Sequence, residues 1–63
     1  MTTLQATVRD WEPGSGGSAF RDDGTVLRLP PECLEGSVFR FVRPGQRVQL
    51  TLADGVVVAV GLP

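Results

Sequence analysis

Glycine and proline punctuate this chain so closely that no long helix fits between them. Eight glycines and five prolines fall among 63 residues. Glycine favours reversals and proline removes a backbone donor, so both break regular elements. The segments between them alternate. In "TLQATVRDW", Leu4, Ala6 and Val8 take one face and Gln5, Thr7 and Arg9 the other, the period of a half-buried strand. "RDDGTVLRL" holds a reversal at Asp22-Asp23-Gly24, after which Leu27 and Leu29 flank Arg28. Pro30 and Pro31 end that strand, since neither donates to a ladder. "ECLEG" predicts one helical turn stopped by Gly36, and "FRFV" reads as extended. "RPGQRVQLTLADGVVVAVGL" is the clearest hairpin. Val48, Leu50 and Leu52 alternate with polar residues, Asp54-Gly55 forms the turn, and "VVVAV" returns. The pattern predicts an all-β chain, with five short strands in a small antiparallel barrel.

Length allows one domain over residues 1–63. A chain this short buries only roughly 60% of its unfolded surface, so apolar packing, alone or with self-association, must hold it. Cys33 stands alone and histidine is absent. Disulfide and zinc spacings are therefore missing, and the lone thiol fits a reducing compartment. The start, "MTTLQATVRD", lacks the basic and apolar regions of a signal peptide. "VVVAV" is far too short to span a bilayer. The expectation is a cytoplasmic protein with no membrane partner. No base accompanies Cys33, Ser15, Ser18 or Ser37, so no catalytic residue, cofactor or metal is expected. Asp22, Asp23 and Asp54 read as turn residues, too sparse for a calcium loop.

One stretch resists this scheme. "GSGGSAF", Gly14 to Phe20, has a linker's composition but lies between strand-like segments. Its neighbours suggest an answer. "TVRDWE" (Thr7 to Glu12), "SGGSAF" (Ser15 to Phe20), "LRLPPECL" (Leu27 to Leu34) and "FRFVRPGQRVQL" (Phe39 to Leu50) follow one another in order, closed by "VVVAVGL". The series resembles the cold-shock domain, whose corresponding segments run like T-V-K-W-F-N, K-G-F-G-F-I, V-F-V-H-F-S-A-I and F-R-S-L-K-E-G-Q-R-V-E-F. The resemblance covers nearly the whole chain and implies a five-stranded barrel of the oligonucleotide-binding type. It also implies that GSGGSAF is a strand, with Phe20 inward and Gly17 and Ala19 in the places of two outward rings.

The resemblance further implies binding of single-stranded RNA or DNA, with bases stacked on exposed rings. Most of those rings are replaced. Asp10 stands for a tryptophan, and Arg28, Pro30 and Pro31 stand for Phe, His and Phe. Trp11 and Phe39 remain aromatic at contact positions. Arg9 and Arg43 match family lysines, and Arg40 and Arg47 match arginines. Stacking contributes about 1–3 kcal/mol per base, so the implied binding is weak and electrostatic. It would be carried by Arg9, Trp11, Arg28, Phe39, Arg40 and Arg43.

The residues themselves allow other readings. Trp11 can cover the open end of the core against Phe39 or Pro13. Phe39 and Phe41, two apart, would present both rings on one side of an extended segment, as a patch for a protein partner or a second copy of the chain. The net charge is −1, and Asp10, Glu12, Asp22 and Asp23 stand ready to pair with the arginines. The alternative is thus a protein-interaction or self-associating module that has lost nucleic-acid binding.

Overall fold

The computed structural model describes Met1–Pro63. Five strands form one antiparallel sheet: β1 (Thr2–Glu12), β2 (Gly16–Arg21), β3 (Val26–Leu29), β4 (Arg47–Ala53) and β5 (Val56–Gly61). A 3₁₀ turn, Pro31–Leu34, follows β3 where one helical turn was expected. The sheet order is β3-β2-β1-β4-β5. It curls into a half-barrel, with β3 and β5 approaching each other but joined by no ladder. The predicted all-β class and strand count hold; full closure by strand pairing does not.

β1 is the spine because it is long enough to serve two partners. Thr2–Thr7 pair with β4, and Ala6–Glu12 with β2. The register slips between Val8 and Asp10, leaving Arg9 as a bulge. Bulges bend and twist a strand, which lets one strand turn a barrel corner. Beyond the bulge, Pro13-Gly14 makes a tight turn closed by Ser15 N–H donating to the Glu12 carbonyl at 3.0 Å. Pro44-Gly45 repeats the device, with Gln46 N–H on the Arg43 carbonyl at 3.1 Å. At the last hairpin Asp54 and Gly55 both take positive φ, 53° and 79°. That is the two-residue turn whose twist suits the flanking strands.

The core is thin, with 12 of 63 residues buried, and every buried residue is apolar or glycine. Val8, Leu29, Cys33, Val48 and Leu50 are its largest fully enclosed side chains. The 3₁₀ turn contributes Cys33 and Leu34, plugging one end. No helix is long and apolar enough to cross a membrane.

GSGGSAF is divided between turn and strand. Gly14 belongs to the turn, while Gly16 to Phe20 lie in β2 and pair with β1. The expected strand is present, but its faces are reversed. Ala19 lies directly opposite Val8 and is fully buried, whereas Phe20 lies opposite Thr7 and is 37% exposed. Directly opposed residues share a face, so a buried Val8 draws Ala19 inward and turns Phe20 out. Gly17 is not the site of a lost outward ring either. A Cβ there would run into the Asp10 carbonyl oxygen, because β1 and β2 crowd together just past the bulge.

The segment read as "FRFV" is not a strand. Phe39 packs against the core, Phe41 is half exposed, and Val42 is buried. Ser37 sets this irregular course: its hydroxyl accepts from Phe39 N–H at 2.9 Å and donates to the Phe39 carbonyl at 3.1 Å. The two rings therefore do not form the shared patch that an extended segment would give.

Candidate nucleic-acid interface

Trp11 stands where the predicted site residues meet. The bulge at Arg9 delivers it to the end of β1, where the ring is partly buried against the core alongside Phe39. Its indole Nε1 is fully buried and has no acceptor. Two shallow clefts share this ring. One, about 340 Å³, is lined by Trp11, Pro13, Pro31, Leu34, Phe39 and Arg40 together with Glu35. The other, about 380 Å³, lies among Trp11, Asp10, Glu12, Ser15, Ser18 and Arg28. Trp11 thus covers the core beside Phe39 and also walls both clefts.

Of the six predicted residues, Trp11, Phe39 and Arg40 line one cleft, and Arg28 lines the cleft on the other side of Trp11. Arg28 is held by a bond from Nη2 to the Ser15 carbonyl at 3.0 Å. Arg9 and Arg43 lie outside both clefts. Residues beside them are bonded through the backbone: Val8 N–H donates to the Gln46 carbonyl at 2.8 Å, and Gly45 N–H to the Val8 carbonyl at 2.7 Å. The Arg43 guanidinium sits 5.5 Å from the centre of the Phe41 ring, within cation–π range.

The arginines are largely free. All six are exposed, and Arg47 alone is in an ion pair, 2.7 Å from Asp22. Arg47 also donates to the Thr7 hydroxyl at 3.1 Å. The expected pairing with the other carboxylates does not occur, because those carboxylates have other work or none. Asp10 accepts from the Ser18 hydroxyl at 3.0 Å. Asp23 accepts from Thr25 N–H at 2.9 Å, and that backbone bond holds its carboxyl below the ordinary carboxylate value. Glu12 has no partner but lines the Arg28 cleft with Asp10. Those two charges oppose a phosphate there, whereas the Phe39–Arg40 cleft holds Glu35 as its one acid.

Phe20 is the residue that sequence reasoning misplaced. Arg47, Thr7, Phe20 and Val26 form one row across β4, β1, β2 and β3. Asp10, Ser18 and Arg28 form the next outward row. A ring therefore does stand on the outer face of β2. The signal was present. Reflection about the turn at Asp23 pairs Leu27 with Ala19 and Leu29 with Gly17, so inward leucines imply an inward Ala19.

Cys33 is buried, and that burial pushes its thiol from 9.0 up to about 11, the state of an inert structural thiol. No three His, Cys, Asp or Glu side chains gather as metal ligands. Comparison with protein-family models, curated proteins and solved structures finds no match.

Proposed function

We propose that this chain is a weak, electrostatic binder of single-stranded RNA or DNA, on a divergent barrel of the oligonucleotide-binding, cold-shock type, in a reducing cytoplasmic setting. The observation that carries this reading is that five exposed arginines have no carboxylate partner and two of them flank Trp11. Unpaired arginines can take phosphates, and a guanidinium can also lie flat on a base. Trp11, Phe39 and the outward Phe20 supply rings, fewer than a full stacking platform. Binding then depends mainly on counterion release and weakens steeply with salt.

A second reading has its own support. Asp10 and Glu12 sit beside Arg28, and Val38 and Phe41 are 74% and 52% exposed. Apolar side chains on a loop with near-neutral net charge suit a protein partner.

Titration of labelled oligo-dT and oligo-U, followed by Trp11 fluorescence at low and physiological salt, separates the two. The expected result is binding weaker than micromolar at physiological salt that tightens as salt falls. Salt-insensitive, sub-micromolar binding overturns the electrostatic mode. No binding at low salt favours the protein-interaction reading.

A further inference from the structure

The cleft beside Trp11 and Phe39 holds two opposite charges that do not meet. Glu35 and Arg40 both line it and both are exposed. Neither side chain makes an ion pair or a hydrogen bond. The neighbouring cleft differs, for there Ser18 engages Asp10 and the Ser15 carbonyl holds Arg28. Trp11, Pro31, Leu34 and Phe39 give the first cleft apolar walls around a space of about 340 Å³, which admits one nucleobase.

Local bonds place its parts. The 3₁₀ turn sets Glu35, whose N–H donates to the Glu32 carbonyl at 3.0 Å. Ser37 N–H donates to the Leu34 carbonyl at 3.0 Å, and the Ser37 hydroxyl bonds both the N–H and the carbonyl of Phe39. The backbone of the site is therefore set before a ligand arrives, which lowers the entropic cost of binding.

We infer, on the footing of the nucleic-acid reading above, that this cleft is a guanine-selecting subsite, in which Glu35 reads the base edge and Arg40 takes the adjoining phosphate. Guanine alone offers two adjacent donors on its pairing edge, N1–H and the 2-amino group. A carboxylate offers two acceptor oxygens and no donor, so Glu35 can take both donors in parallel. Every other base sets an acceptor against it. Adenine and cytosine carry a ring-nitrogen acceptor beside the amino group, and uracil and thymine flank one N–H with two carbonyls. The rings of Trp11 and Phe39 meet the base faces, and such stacking adds affinity without choosing among bases. Phosphate is common to all nucleotides, so Arg40 positions the strand without reading it. Selection falls to Glu35. In a cleft that merely held phosphate, that lone acid would only repel the ligand.

The test is fluorescence anisotropy at low salt with labelled oligo-dT, its central base left as thymine or replaced by guanine, hypoxanthine, adenine or cytosine. One good bidentate base contact discriminates about tenfold, so the natural chain should bind the guanine oligonucleotide about tenfold tighter than those with thymine, adenine or cytosine. Hypoxanthine keeps N1–H but lacks the 2-amino group, and should lose most of that gain. Glu35 and Arg40 are exposed and unbonded, so replacing either leaves the fold intact. Glu35→Gln puts an amide donor where the second acceptor stood, and should bring guanine level with thymine. Arg40→Ala should weaken binding of every oligonucleotide and keep the order of the bases. Equal binding of guanine and thymine overturns the inference and leaves the nucleic-acid reading standing. So does a preference that adenine shares, that hypoxanthine keeps in full, or that survives Glu35→Gln. No binding of any oligonucleotide overturns both.

Discussion

Exchanging sizes at Ala19 and Phe20 tests the phase of β2, on which the outer face of the sheet depends. Phe20 is 37% exposed, so about two-thirds of it is covered. Full burial of a phenylalanine side chain stabilises by about 1.5–3 kcal/mol, which leaves about 1–2 at stake. Threonine keeps part of that packing and suits a strand, so Phe20→Thr should cost about 1 kcal/mol. Ala19 is fully enclosed. Ala19→Val forces two extra carbons among close-packed neighbours and should cost about 1–3 kcal/mol. The reverse phase predicts the opposite order: valine at an outward strand position would be neutral or stabilising, and loss of a core phenylalanine would cost about 3 kcal/mol or more. Urea unfolding at constant m-value measures both changes. In a chain of this size, 1 kcal/mol corresponds to a midpoint shift of about 4–8 °C, well within thermal-melt precision. A Phe20→Thr variant less stable than Ala19→Val would refute the phase, and with it the placement of Phe20 on the outer face.

Gly17→Ala should lower stability by more than the 1 kcal/mol typical of a point mutation, because its Cβ meets the Asp10 carbonyl oxygen; thermal melts decide this. Cys33 should resist thiol reagents at pH 8 until the chain opens, as a timed reaction with and without urea would show. Its folded-state pKa of about 11 lies above the ordinary 9.0, so the stability it confers is complete below pH 9 and lost as pH rises towards 11. Urea titrations across that window should show the midpoint falling, and a Cys33→Ala variant should lack that component. Replacing Arg28 or Arg40 by Ala should flatten the salt dependence of oligo-dT affinity by about 0.7 for each phosphate no longer neutralised. Arg47→Ala should change it less, since Asp22 already holds Arg47.

Local pattern carried most of the fold. Alternation in β1 and β4 reports burial on one face, and Asp54-Gly55 and Asp22-Asp23-Gly24 specify reversals by backbone conformation. These are short-range facts, so they can be read from the chain directly. The error in β2 arose because small residues report little about facing. Glycine, serine and alanine suit either side, and Phe20 was set inward by the resemblance alone. Pairing with Val8 overrode that placement. The loop Ser37–Val42 was misread for a related reason: "FRFV" alternates, but the Ser37 hydroxyl and Pro44 bend the chain away from a ladder. The clefts beside Trp11 were legible only as residue types. Which arginines stand free depends on where Asp10, Asp22 and Asp23 find their hydrogen bonds, and those partners lie on other strands or turns.

The way β1 serves two neighbours has a kinetic consequence. β1, β2 and β3 form a meander over short connections, and β4 and β5 form a separate hairpin. One ladder joins the two pieces, running from Thr2–Leu52 to Thr7–Arg47. Closing it brings together residues far apart in sequence, at an entropic cost that the local hairpins do not bear. Docking of hairpin onto meander is then the expected rate-limiting event. Substitutions at Ala6 or Val48 should slow refolding in a denaturant-jump experiment, while those at Val56 or Thr25 should act chiefly on unfolding. Cutting the chain within the Glu35–Pro44 loop should leave two fragments that find each other along this ladder, with the 3₁₀ turn and β3 settling against β5.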